Sequence, residues 1–191
     1  KISDEIKEIW KQNGNEAALA GTKLHADIEY YYNNLPVEND SIEYSYFLNF
    51  AKENSGLKPY RTEWMIWDSE LRLAGSIDMV YQLEDGSLMI YDWKRSKNIT
   101  KSNSFNQWGI PDCLNHVPDT NFWHYSLQLN TYKRLLEKNY GVSVSQLRLV
   151  CLHPNNNNYE VIHVPDMSDE IDVLMEMRRQ QLLEEASKEL T

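Results

Sequence analysis

From Glu16 to about Asn33, Ala, Leu, His, Ile and Tyr recur at three- and four-residue intervals, the spacing that lines one face of a helix. Asn13-Gly14-Asn15 stands ahead of this stretch as a breaker. A second helix is predicted from Ser41, a capping residue type, to Asn54, with Gly56 and Pro59 as its stop. Between Tyr60 and Trp93 the pattern changes to alternating, β-branched and aromatic residues, interrupted at Asp68-Ser69 and at Glu84-Asp85-Gly86. That predicts a three-stranded antiparallel meander. Residues 97 to 120 show no period, contain Pro111 and Pro118, and make a loop longer than an ordinary connection. Helical spacing returns from Phe122 to Asn139, closed by Gly141. Gln146 to His153 and Tyr159 to Val164 read as two strands around an Asn-rich turn, and Asp166 or Ser168 is expected to cap a final amphipathic helix reaching about Leu190.

This order of elements predicts an α/β fold with a central mixed sheet, its antiparallel meander flanked by helices. A chain of 191 residues, 41% of them hydrophobic, is long enough for one core and short for two. A single domain over residues 1–191 is expected, with an N-terminal helical part to about residue 58. Lys1, where an initiating Met would stand, is read as the mark of a domain excised from a longer chain, so adjacent domains or a protein partner are expected beyond it. No apolar run approaches the ~18 residues that span a bilayer, and no signal peptide is visible, so a soluble protein without a membrane partner is expected.

Cys113 and Cys151 are the only cysteines and lie far apart, which predicts an intracellular, reducing compartment. They are too few for an all-cysteine iron-sulfur cluster, which needs about four thiolates. The net charge of -10 opposes a broad attraction to polyanions. Local positive charge remains in Lys94, Arg95, Lys97, Lys101, Lys133 and Arg134, and a bound cation would neutralise an acidic cleft.

Asp92, Trp93 and Lys94 end an apolar strand, and residues two apart on a strand point to one face. A carboxylate beside an ammonium at a strand end is suited to holding a cation next to a group that orients water. Whether Asp78, on the preceding strand, meets Asp92 depends on the turn between them. A two-residue Asp85-Gly86 loop sets Asp78 opposite Trp93. A three-residue loop, Glu84 to Gly86 with Gly86 left-handed, sets Asp78 opposite Asp92. The longer turn is predicted. Two facing carboxylates repel, so a cation is expected between them.

Gly21-Thr22-Lys23-Leu24-His25, Gly75-Ser76-Ile77-Asp78, Asp92-Trp93-Lys94 and Gln128 to Tyr132 together resemble the ordered motifs of the RecB-like exonuclease branch of the PD-(D/E)XK nuclease superfamily. The Asp-Trp-Lys form is similar to that of the mitochondrial genome maintenance exonucleases, whereas most relatives have Glu at its first position. The resemblance implies a restriction-endonuclease-like core and hydrolysis of DNA phosphodiester bonds with one or two Mg²⁺ or Mn²⁺ ions, as an exonuclease on single-stranded or frayed duplex ends. It also implies residue roles. His25, Asp78, Asp92 and the main-chain carbonyl of Trp93 would bind metal, Lys94 would position the attacking water, and Glu63 would be a second-metal or water-mediated ligand or else a solvated strand-end charge. Gln128, Tyr132, Arg95 and Lys97 would support the site or contact the nucleic acid.

Two other readings stay open. One is an RNA endonuclease of the cap-snatching type, and the other a catalytically inactive nucleic-acid-binding module of the same fold. For Lys133 and Arg134 a solvated helix face is the simpler expectation. Trp108, Phe122, Trp123, His124 and Tyr125 could stack bases of a single strand, but packing of the loop onto the domain is the expectation for most of them.

Overall fold

A computed structural model of the chain describes residues 2–101 and 120–190. Most of the long loop, with Trp108, Pro111, Cys113 and Pro118, lies outside the described residues. The elements follow the order α1 (Ile2–Tyr32), α2 (Ile42–Glu53), β1 (Lys58–Asp68), β2 (Leu73–Gln82), β3 (Leu88–Lys94), α3 (Asn121–Tyr140), β4 (Val144–Cys151), β5 (Glu160–His163) and α4 (Ser168–Glu189). The five strands form one sheet in the order β1-β2-β3-β4-β5. The meander pairs antiparallel. β3 and β4 run the same way, because Leu88 N–H donates to the Ser143 carbonyl at one end and Leu152 N–H to the Lys94 carbonyl at the other. The sheet is therefore mixed.

The chain divides into two compact units, each assembled from separated stretches. The sheet unit holds residues 56–92, 98–101, 120–149 and 161–190 of those described. On α3, Leu129, Tyr132 and Leu136 recur at three- and four-residue spacing and face Trp64, Ile66, Ile77 and Ile90 of the meander. Full burial of each such apolar side chain favours folding by about 1.5–3 kcal/mol. Gly141 ends α3 in the left-handed conformation, φ 65. α4 contributes Ile171 and Met175, one turn apart. Neither Asp166 nor Ser168 is its cap residue; Met167 is, and Asp166 acts from one residue before, its carboxylate accepting the Ser168 N–H at 2.9 Å. The first described residues of the long loop are tied to the start of α3, with Thr100 N–H on Asn121 Oδ1 at 2.8 Å and Trp123 Nε1 on the Lys101 carbonyl at 3.0 Å. Phe122 is buried in the core, as packing requires.

The helical unit holds residues 2–55, Trp93–Lys97 and Val150–Glu160. Its centre is aromatic. Phe47 and Phe50 meet the Trp93 ring edge-on at 5.5 and 5.4 Å, and Phe47 also meets Tyr31 at 5.1 Å. Such pairs add about 0.5–1.5 kcal/mol beyond the area they bury. Ser41 caps α2, its hydroxyl accepting the Tyr44 N–H at 3.2 Å. Asp27 is buried beneath Lys23 Nζ and Asn39 Nδ2, both at 2.7 Å. The expected break at Asn13-Gly14-Asn15 does not occur, and α1 runs through it. Gly14 keeps a helical φ, and one glycine inside a helix costs only about 1 kcal/mol relative to alanine.

Candidate active site

The β2–β3 connection is the three-residue turn Glu84 to Gly86. Leu83 N–H donates to the Ser87 carbonyl at 2.8 Å, Gly86 N–H donates to the Leu83 carbonyl at 3.0 Å, and Gly86 has φ 85. A left-handed residue here suits glycine, which has no Cβ to clash. The Asp85 carboxylate accepts from the Ser87 N–H and hydroxyl, and these bonds lower its pKa. The ladder then runs Gln82↔Leu88, Tyr81↔Met89, Val80↔Ile90 and Met79↔Tyr91. The paired ladder ends there, and the same register carried one residue further would set Asp78 opposite Asp92.

On the other side of β2, the pairs Thr62↔Met79 and Trp64↔Ile77 bracket Glu63 and set it opposite Asp78. Glu63, Asp78 and Asp92 therefore occupy one row across three neighbouring strands. Asp92 is buried, 5% exposed, and the other two are half-buried. The strands are irregular at this row. Glu63 has φ 43, a left-handed backbone that costs a side-chain-bearing residue on the order of 1–2 kcal/mol. In β2 the alternation of burial gives way to a run, Met79-Val80-Tyr81, that is buried throughout. Strain of this kind persists only where the surrounding structure imposes it, and it gathers at functional sites.

The Glu63 carboxylate accepts the Ser76 hydroxyl at 3.1 Å. Among the described residues no three His, Cys, Asp or Glu side chains gather closely enough to hold a metal ion by themselves. The row is an alignment of backbone positions, and an ion there needs a main-chain carbonyl and waters to complete its shell. An open depression of about 960 Å³ beside the β2–β3 turn contains none of the candidate residues.

Gln128 and Tyr132 share a face of α3, joined by a bond from Gln128 Nε2 to the Tyr132 hydroxyl at 3.0 Å. The Tyr132 ring lies over Gly75, three residues before Asp78, where an added Cβ would come within 2.5 Å of it. The missing side chain is what admits the ring. This contact, spanning β2 and α3, and the Ser76–Glu63 bond had no local signature in the sequence.

In the helical unit, His25 is half-buried on α1 with Nδ1 2.8 Å from the Gly21 carbonyl. A carbonyl only accepts, so Nδ1 donates, and the neutral ring then carries its acceptor on Nε2, the tautomer a metal ligand needs. Lys94 is half-buried at the end of β3. Trp93, expected to matter through its carbonyl, also fills the aromatic centre of the unit with its ring.

Arg95 is not presented as an open nucleic-acid contact. Its Nε donates to Glu43 Oε1 at 2.9 Å, and the two side chains are only 17% and 8% exposed. The cause is Glu43 on α2, a buried carboxylate that needs a counter-charge. Burial alone would raise the Glu43 pKa, but the bond and charge of Arg95 outweigh it and hold the group below its ordinary value. Burial, then the charge of Arg95, pushes the neighbouring His153 down. Lys97 is exposed. In the sheet unit Arg134 pairs with Asp172 at 2.5 Å, tying α3 to α4.

No helix of the described residues is long and apolar enough to cross a membrane. The profile of the PD-(D/E)XK nuclease superfamily matches residues 2–190. No curated protein matches the chain. Among solved structures, a candidate exonuclease from Eubacterium rectale is similar to it at 12% identity and a TM-score of 0.38, over 82% of this chain and 70% of that one.

Proposed function

This chain belongs to the PD-(D/E)XK nuclease superfamily, and from that premise we propose that it is a RecB-like, divalent-cation-dependent exonuclease acting on single-stranded or frayed DNA ends. The observation that carries this reading is the row of Glu63, Asp78 and Asp92, with Lys94 two residues beyond Asp92 on the same strand.

Within the sheet unit the donor set, three carboxylates, fits a hard cation. Asp78 and Asp92 would hold Mg²⁺ or Mn²⁺, and Glu63 would serve a second ion. Mg²⁺ keeps several waters when bound, which suits a row that does not by itself enclose an ion. When bound, the cation supplies Lewis-acid polarisation of the phosphate and eases ionisation of water.

The chain's own residues do the rest. Lys94 orients the attacking water and donates to the phosphate oxygen on which negative charge grows. The water oxygen forms a bond to phosphorus as the bond to the leaving sugar oxygen breaks, the water's proton passes to solvent, and the leaving oxygen takes a proton from solvent. Tyr132, seated on Gly75 and held by Gln128, braces β2 just before Asp78.

The test is cleavage of end-labelled single- and double-stranded DNA and RNA, linear and circular, with Mg²⁺, Mn²⁺ or chelator. Metal-dependent loss of terminal nucleotides from linear DNA is expected, cut to a small but measurable residual rate in Lys94→Ala and Asp92→Ala. Full activity in both purified variants would refute the assignment.

A further inference from the structure

The last two residues of β3 and the two that follow are each held within the helical unit. The Trp93 ring is wedged between Phe47 and Phe50. The Lys94 carbonyl accepts the Leu152 N–H at 2.8 Å. The Arg95 guanidinium meets buried Glu43 at 2.9 Å, and the Ser96 carbonyl accepts the Cys151 thiol at 2.6 Å. Of these holds, three are an aromatic contact and two bonds to main-chain carbonyls. The fourth is an ion pair, which is expensive to bury and is often replaceable by apolar packing without loss of stability. Its direction and charge therefore serve placement more than stability. A guanidinium is planar and keeps its charge, so a buried carboxylate on α2 fixes both the position and the twist of the backbone one residue past Lys94.

We infer that Glu43, acting through Arg95, is a positioning residue for Lys94, setting the direction in which the lysine leaves the strand end. The inference rests on the role of Lys94 proposed above. Catalytic groups need placement to within about 0.5 Å, and a misplacement of about 1 Å can cost on the order of a hundredfold in rate. Disturbing the pair lowers the turnover number and leaves the apparent affinity for DNA nearly unchanged, because both side chains are engaged with each other and largely shielded from solvent.

The experiment measures kcat and KM on 5′-end-labelled single-stranded DNA with Mn²⁺ for Glu43→Gln, Glu43→Ala, Arg95→Lys and Lys94→Ala, and for Glu43→Gln combined with Lys94→Ala. Glu43→Gln preserves size and Arg95→Lys preserves the positive charge, so they report even if Glu43→Ala fails to fold. Expected are a roughly 10- to 100-fold fall in kcat with KM within about twofold, faster amide exchange at Leu152, and no further loss when Glu43→Gln is added to Lys94→Ala. A merely structural pair would lower residual activity equally in both backgrounds, and that result overturns the inference. So does unchanged kcat in Glu43→Gln and Arg95→Lys, or a rise in KM alone. Full activity in Lys94→Ala instead refutes the catalytic reading itself, and the inference falls with it.

Discussion

Two turns flank β2, and they are built in opposite ways. The turn from β2 to β3 closes on itself, with Gly86 left-handed and Asp85 bonding to Ser87 within two residues. The turn from β1 to β2 is closed by partners far along the chain. The Asp68 carboxylate takes the local Leu71 N–H at 2.8 Å, but also Lys138 Nζ and Asn139 Nδ2 of α3, each at 2.9 Å. Glu70 bridges Lys138 and Arg179, and Arg178 reaches the Leu71 carbonyl. Between the two turns runs the strand that carries Asp78. One turn sets which residue faces Asp92, and the other anchors the strand to the helices. Register and anchorage can thus be broken separately.

The sharpest break is deletion of Asp85. Where the turn re-forms with three residues, Glu84-Gly86-Ser87, Leu83 pairs with Leu88 and Asp78 moves opposite Trp93, so cleavage should fall by roughly a thousandfold or more while circular dichroism still reports a folded α/β protein. Retained cleavage would separate the acid row from the chemistry. The anchoring turn answers to pH. Burial would raise the Asp68 pKa, but the bonds from Asn139, Leu71 and Lys138 and the charge of Lys138 bring it to about 2. A carboxyl depressed in the folded state contributes stability above its unfolded value of 3.8, and this is lost as pH falls through about 2. The contribution is roughly 2 kcal/mol. Urea unfolding should show that loss between about pH 4 and pH 2, and Asp68→Asn should remove it at neutral pH with the register untouched.

Gly75→Ala drives a methyl group into Tyr132 and should cost about 1–3 kcal/mol, partly recovered by adding Tyr132→Leu, as read by thermal melting. Smallest is Gly86→Ala. Its left-handed backbone should cost about 1–2 kcal/mol, yet the turn length is unchanged, so cleavage at low temperature should survive.

The same contrast explains what was legible in the sequence. The self-closing turn could be read from Glu84-Asp85-Gly86 because all its determinants are adjacent, and the register of Asp78 and Asp92 followed from counting residues. α2, α3 and the strands were legible for the same reason, each carrying its own period and its own stop. The partners of Asp68 stand some seventy residues away, and Glu43 is 52 residues from Arg95. Nothing local distinguishes a glutamate that will be buried from one that stays in water. Arg95 was read as a nucleic-acid contact or a support of the site, and its buried partner on α2 left no local mark. At Gly14 a local rule misled, since the weak helix penalty of one glycine is overridden easily.

The way the helical unit is assembled has a bearing on its birth. Its aromatic centre includes Trp93, and Leu152 supplies the bond to Lys94, so the first 55 residues hold only part of what the unit needs. On the ribosome, where chains emerge at about 5–20 residues per second, α1 and α2 must wait for segments made much later before their core closes. A fragment ending at Ser55 should therefore be retained by chaperones or degraded, and a cut in the chain after the first two helices should be tolerated only if both pieces are made together.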